Sequence, residues 1–496
     1  MGADAKNSRL RFQSARLSAQ QCGIDGFTVE SRTKGFHTRK RGCPNAGQHV
    51  IICPKRNFAT AIAARYRTGT AGFLIVSLAS TSSNRQPASF ASCAMCAGIV
   101  LLAASACAQE AFRVSLAGQD AAEAKKRALM NQRFNLRLGP VSLRFQAGLT
   151  TEATDNVRYS ASNEQPDLIF RPQVNTVAVW PVTQKNTLSL SLGLGYAKYI
   201  NATEYDGLFV APGSDLSFDL YVQDMVFNFH DRFAFTQDVT GDPTVSGIGG
   251  LDRFENTAGV GMTWDLNKLL VNAGYDYYIY VPTGDLYSNQ SRGSQLFNAS
   301  GAFVINPTTL AGLQAFGGLT DYDENLYSDN QHVGLGGFVN AQFSEYTRLR
   351  ASVGYVNYFF DPSQSVTNSQ TLDGIYVDLS LQQRLNHYFT HSISLGRQLQ
   401  ASYSSDGVEL IYFRHVGVWR LFRKTAVTTT LSYEYFKEDR QQPEKGSRYG
   451  AGLGLSRPLT RRLTGSLRYS FYLKNSDVNT QDYTQNRLVL DLVYRF

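Results

Sequence analysis

Leu488-Val489-Leu490-Asp491-Leu492-Val493-Tyr494-Arg495-Phe496 closes the chain, and every even-numbered side chain in it is apolar or aromatic, whereas the odd positions include a carboxylate and a guanidinium. A period of two puts successive side chains on opposite faces of a strand. Leu488, Leu490, Leu492, Tyr494 and Phe496 therefore share one oily face. A strand at the edge of a soluble antiparallel domain has the same pattern, so the preceding residues must decide the architecture.

From Phe134 onward about eighteen such stretches follow one another, each near the ten-residue length of a tilted membrane-spanning strand. Leu188, Leu190, Leu192, Leu194 and Tyr196 oppose Thr187, Ser189, Ser191 and Gly193; Ile375, Val377, Leu379 and Leu381 oppose Tyr376, Asp378, Ser380 and Gln382. Short connections such as Gln223–Asp224 and Asn306–Thr308 alternate with long polar ones such as Thr151–Pro166, Asp238–Arg253 and Asn475–Thr484. A soluble sandwich also alternates, but it needs a second sheet over each apolar face, and its connections do not sort by length. In lipid, unpaired backbone groups force a spanning sheet to close on itself. Tyrosines near strand ends (Tyr196 and Tyr199, Tyr277 and Tyr280, Tyr433 and Tyr435) suit the two interfaces of a bilayer. The expected fold is all-β: a closed antiparallel transmembrane barrel of 16–18 strands over residues 133–496.

The first 132 residues read differently. Of 48 Lys plus Arg and 40 Asp plus Glu, 14 and 3 precede Gln109, so the remainder carries 34 basic and 37 acidic groups, a balance of −3. The formal charge of +8 thus belongs to the leader, and nothing in the body implies a nucleic-acid partner. All six cysteines (Cys22, Cys43, Cys53, Cys93, Cys96 and Cys107) also precede Gln109, which suits export of a thiol-free body through an oxidising compartment. Residues 1–83 are expected to be an unstructured basic leader from a misassigned start. Residues 84–108 are expected to be a Sec signal peptide, with Ala106 and Ala108 framing the cleavage site, and residues 109–132 a periplasmic lead-in. A lipoprotein reading through Cys107 is the rival.

The segment Phe134–Val157 (FNLRLGPVSLRFQAGLTTEATDNV), with Pro166-Asp167-Leu168-Ile169, Pro172 and the turn Arg457-Pro458-Leu459-Thr460-Arg461-Arg462, resembles the putative β-barrel porin family of type 2. The resemblance implies a bacterial outer-membrane barrel, serving diffusion or polysaccharide export, with lipids and the barrel-assembly machinery as partners. The closing stretch resembles the last strands of such barrels, in which Leu488, Leu490, Leu492, Tyr494 and Phe496 would form the insertion signal.

Eighteen strands leave room for water inside. The charges expected to line that lumen are Asp219, His230, Arg232, Asp276, Arg350, Asp378, Arg397, Glu434, Arg468 and Asp491, although each could equally solvate a wall or pair across strands. Tyr221, Tyr278, Tyr376 and Tyr472 share the same face and could stack on sugar rings, or serve only as strand formers. No GxSxG or HExxH pattern occurs, and His387, His391 and His415 near Ser392 and Ser394 read as chance proximity. No metal or cofactor is called for, and an enzyme is not expected. The functional alternatives are a pore and a non-conducting barrel acting through its long loops.

Overall fold

The computed structural model describes residues 134–496 apart from 240–241, 325, 362–370, 401, 403–404, 406, 423 and 440–442. The basic leader, the signal-peptide positions Ala106 and Ala108, the lead-in and all six cysteines lie outside the described residues.

One nineteen-stranded antiparallel sheet holds the described chain. Its strands in order are β1 (Leu136–Leu138), β2 (Val141–Thr154), β3 (Asp167–Pro181), β4 (Thr187–Tyr199), β5 (Gly207–Val222), β6 (Met225–Thr236), β7 (Arg253–Asp265), β8 (Leu269–Pro282), β9 (Arg292–Asn306) and β10 (Thr309–Tyr322). The series continues with β11 (Asn330–Ser344), β12 (Thr347–Phe360), β13 (Thr371–Arg384), β14 (Phe389–Gln400), β15 (Gly407–Leu421), β16 (Thr425–Asp439), β17 (Lys445–Pro458), β18 (Leu463–Ser476) and β19 (Tyr483–Arg495). Each strand from β2 to β19 pairs with its sequence neighbours, and β19 returns to pair with β2 from Arg487↔Thr154 to Arg495↔Gln146. With β1 a stub, the remaining eighteen strands form a closed cylinder.

The closing strand meets the middle and upper part of β2, not its start near Val141. The exposed start of β2 is taken by β1, which Gly139 (φ 57°) folds back so that Leu136 pairs with Leu143 and Leu138 with Val141. Asn135 seals the junction. Its side-chain amide donates to the carbonyls of Phe145 (3.0 Å) and Phe496 (3.2 Å), and its Oδ1 accepts from the Phe145 amide (3.1 Å).

The two faces of the wall separate as the alternation demands. Leu313, Leu335, Ile375, Leu453, Leu467, Leu488 and Leu490 project outward and are exposed. On the intervening positions Glu152, Asp219, Asp276, Glu434 and Arg448 are buried on the inner face. All three tryptophans, Trp180, Trp264 and Trp419, sit on the outer face next to short turns, where an amphipathic ring suits the bilayer boundary. Some polar pairs interrupt the pattern: Asp231 and Asn256, for example, share the outer face of β6 and β7, and Asn256 Nδ2 donates to Asp231 Oδ1 at 2.5 Å. The hydrogen bond offsets part of the cost of a carboxylate among lipid tails.

Because the outer face is solvated by hydrocarbon, charge introduced there should cost more than charge introduced inside. Leu490→Arg is expected to destabilise the barrel by about 2–4 kcal/mol in reversible urea unfolding from liposomes, whereas Ser470→Arg on the inner face should cost far less. Equal losses would contradict the assignment of faces.

Candidate functional site

The inner face is polar because each strand commits its alternate positions to it, and neighbouring strands bring those positions into register. Asp219, His230, Arg232 and Asp276 come together on β5 to β8. Asn228 Nδ2 donates to Asp219 Oδ1 (2.8 Å) and to Ser217 Oγ (2.8 Å), so its amide oxygen faces His230 Nδ1 (3.0 Å). His230 Nε2 reaches Asp276 Oδ1 at 2.6 Å, and Arg232 Nε lies 3.8 Å from Asp215. Across the barrel, Asp491 accepts from Thr150 Oγ1 (2.7 Å), Ser466 Oγ (3.2 Å) and Arg468 Nη2 (3.4 Å). Asp378 accepts from the Tyr412 hydroxyl at 2.5 Å, and Arg350 stands on the inner face in register with Asn340 and Ser380.

Arg397 is the exception among the ten predicted lumen residues. It pairs with Val377 and Ile411, shares their outward face, and forms an ion pair with Glu409 (Nε to Oε1, 2.7 Å). The β13–β14 ladder ends at Val377↔Arg397, and the guanidinium donates to the Ile375 carbonyl beyond that end. The local alternation accounts for its face, since Ile393 and Leu395 on the same strand also point outward. Tyr376 also departs from expectation. It is fully buried, its hydroxyl accepts from Gln314 Nε2 at 2.8 Å, and it has no open ring face for a sugar.

Glu434 lies between two arginines, accepting from Arg414 Nη2 (2.6 Å) and from Arg448 Nε (2.7 Å) and Nη2 (2.5 Å). A second triad, which the sequence reading did not single out, repeats the arrangement: Glu152 accepts from Arg171 Nη1 (2.6 Å) and Arg487 Nε (2.8 Å). Its signal was available. Glu152, Arg171 and Arg487 all occupy the inward parity of strands that neighbour one another at the seam between β19 and β2.

The connection between β6 and β7 gives the lumen its shape. Its residues reach β17 and β18, which are separated from β6 by β5, β4, β3, β2 and β19, so the segment crosses the interior as a chord. Arg448 Nη1 donates to the Asp242 carbonyl (3.1 Å), and Lys474 Nζ donates to the Thr244 carbonyl (2.8 Å), Ser246 Oγ (2.9 Å) and Glu444 Oε1 (2.9 Å). All three protons of a fully buried ammonium are thereby satisfied. Ser246 Oγ also donates to the Gln481 carbonyl (2.7 Å), and the amide of Gly247, whose φ of 74° favours glycine, donates to the Tyr159 carbonyl (3.0 Å). Val239, Val245 and Leu251 of this loop pack with Tyr159, Tyr278, Tyr280, Leu296 and Tyr483. The composition of residues 238–253 left the direction of the loop open, and partners more than 200 residues away decide it.

Burial pushes the Asp242 carboxyl above its ordinary range; its hydrogen bonds from Thr244 (N, 2.8 Å; Oγ1, 2.7 Å) and the nearby Arg448 and Lys474 charges oppose that rise. The histidines weighed for catalysis do not assemble a nucleophile and base. His391 and His415 lie on the outer face with ring centroids 5.7 Å apart, whereas Ser392 and Ser394 occupy the alternate, inward positions.

Comparison with known proteins finds a match to the family described as "Putative beta-barrel porin 2" over residues 136–496. Among solved structures, the outer membrane protein opdK from Pseudomonas aeruginosa is similar at 11% identity and a TM-score of 0.43, covering 72% of this chain and 99% of that one. OccK2 (OpdF) from the same organism, in complex with glucuronate, aligns at 15% identity and a TM-score of 0.44, covering 74% and 100%. A BenF-like porin from Pseudomonas fluorescens Pf-5 aligns at 10% identity and a TM-score of 0.45, covering 72% and 100%. No curated protein matches.

Two outcomes follow from the charges. Glu434→Gln leaves Arg414 and Arg448 without their counter-charge and is expected to cost about 3 kcal/mol, the low end for one partner of a buried pair because Arg414 keeps some water; a guanidinium unfolding midpoint measures it. For Asp242, a raised value in the docked loop means that protonation favours docking. That contribution is complete below the value of the free carboxyl and is lost as pH rises through the raised one. Open-channel current should therefore fall more on acidification in the native protein than in Asp242→Asn, and identical pH profiles would contradict the coupling.

Proposed function

The chain belongs to the family described as putative beta-barrel porin 2, a bacterial outer-membrane porin family, and on that premise we propose that it is a diffusion channel for small hydrophilic solutes. The observation that carries this reading is the chord formed by the described residues between β6 and β7, pinned through Asp242, Thr244 and Ser246 to Arg448 on β17 and Lys474 on β18. A wall of eighteen strands encloses more space than side chains alone can fill. One crossing segment narrows that space to a constriction lined by ion pairs, where a solute exchanges bulk water for fixed polar groups. Export of a polysaccharide through the same lumen is the broader version of this reading. Delivery by Sec, cleavage between Ala108 and Gln109, and recognition of Leu488, Leu490, Leu492, Tyr494 and Phe496 by the assembly machinery complete it. In this orientation the short turns face the periplasm.

A second reading rests on the apolar cluster that the loop forms with Tyr159, Tyr278, Tyr280 and Tyr483, because such packing could close the mouth of the barrel and leave the outer loops to act alone. Planar-bilayer recording on the refolded protein separates the two. The channel reading expects discrete conductance steps, and replacing residues 239–250 by a short Gly-Ser turn should raise the unit step on the order of twofold. Persistent silence from a folded barrel before and after that replacement would sink it.

A further inference from the structure

We propose that the solutes this lumen favours are small organic acids, drawn along an arc of arginines on β15 to β19, β2 and β3; this rests on the channel reading above. The argument starts from the composition of the ion pairs. Each triad has two arginines to one glutamate, Arg171–Glu152–Arg487 and Arg414–Glu434–Arg448, so each carries a positive balance. Between them on the wall stands Arg468 with Asp491.

The second observation is which partner faces water. The side chain of Arg414 is 30% exposed above a Glu434 that is 3% exposed, and that of Arg171 is 26% exposed above a Glu152 at 7%. Arg468 and Asp491 show the same order, at 37% and 16%, and so do Arg232 and Asp215 on β6 and β5, at 33% and 12%. In these inner-wall pairs the carboxylate lies beneath and the guanidinium lies on top. A solute sliding along the wall therefore meets cationic forks whose counter-charges are recessed. A guanidinium presents its donors in the planar arrangement that a carboxylate accepts two at a time.

The third observation is the space between the arginines. On the inner face of β17 the positions after Arg448 are Gly450, Gly452 and Gly454, in register with Ser432, Thr430 and Thr428 of β16 and with Tyr472, Ser470 and Arg468 of β18. A Cβ on Gly450 or Gly452 would come within 2.3 Å of the Ser432 or Thr430 hydroxyl, so those hydroxyl groups lean over the glycines and form the surface there. Arg414 stands beside this strip in register with Ser432, and Arg468 stands beside it in register with Gly454. The lane offers cations at its sides and hydroxyl groups along its floor, which suits a carboxylate that also carries hydroxyl groups. Fixed cations along a low-dielectric wall raise the local concentration of anions and lower that of cations.

The test is the reversal potential of the full-length refolded channel in a tenfold KCl gradient, followed by substitution of gluconate for chloride on one side. Chloride is expected to permeate at least about threefold better than potassium, and gluconate to carry measurable current. The double variant Arg414→Gln/Arg468→Gln should lose most of that preference while still folding, because Glu434 keeps Arg448 and Asp491 keeps Thr150 and Ser466. Arg397→Gln, on the outer face, should leave the preference unchanged. An open channel with equal or cation-favouring permeability would overturn the proposal while leaving the channel reading intact. An anion preference that survives the double variant would overturn the assignment to this arc. A folded barrel that never opens would overturn both.

Discussion

The seam between β19 and β2 is the constraint on which the rest of the molecule depends. A sheet in hydrocarbon cannot leave an edge unpaired, because each unsatisfied backbone group costs several kcal/mol and lipid offers no partner. Nine residue pairs from Arg487↔Thr154 to Arg495↔Gln146 close the sheet, and the stub β1 covers the part of β2 that the terminal strand does not reach. Asn135 joins the two pieces by bonding to both Phe145 and the last residue, Phe496. Once the cylinder is closed, inward side chains face the interior of the barrel and outward ones face its surroundings. The chemistry of the lumen is therefore a consequence of strand register.

Register also accounts for the density of ion pairs on the inner wall. Neighbouring strands place Arg171, Glu152 and Arg487 within reach of one another, and Arg414, Glu434 and Arg448 likewise. Burying Glu152 and Glu434 beneath arginines costs desolvation, which two charged donors each offset through short hydrogen bonds. The same arginines carry a second load. Arg448 holds the Asp242 carbonyl of the crossing loop, so the wall's electrostatics and the position of that loop share a side chain. Lys474, fully buried against Glu444, Thr244 and Ser246, fixes the other point of attachment.

Much of this was legible from the chain. The alternation of Leu488 to Phe496 and its seventeen counterparts specified strands, an oily face and a polar one, since side-chain direction in a strand depends only on parity. The same parity put Asp219, His230, Arg232, Asp276, Glu434, Arg468 and Asp491 on one face, as the structure has them. The expectation of an inward Arg397 ran against that parity, because Ile393 and Leu395 already put it on the outer face, and parity alone did not show that tertiary packing buries the inward Tyr376 against Gln314 and Phe316.

By itself, then, the sequence determined the strand pattern, the two faces, the alternation of short and long connections and the family, because each follows from residues within a few positions of one another. Only the tertiary structure decided that β1 completes the seam, that two glutamates each lie between two arginines, and that residues 242–251 of the connection between β6 and β7 turn inward. Those outcomes depend on contacts such as Asn135 with Phe496 and Lys474 with Thr244, between residues hundreds of positions apart. The energy of such a contact is set by closure of the barrel, which no local stretch of chain encodes.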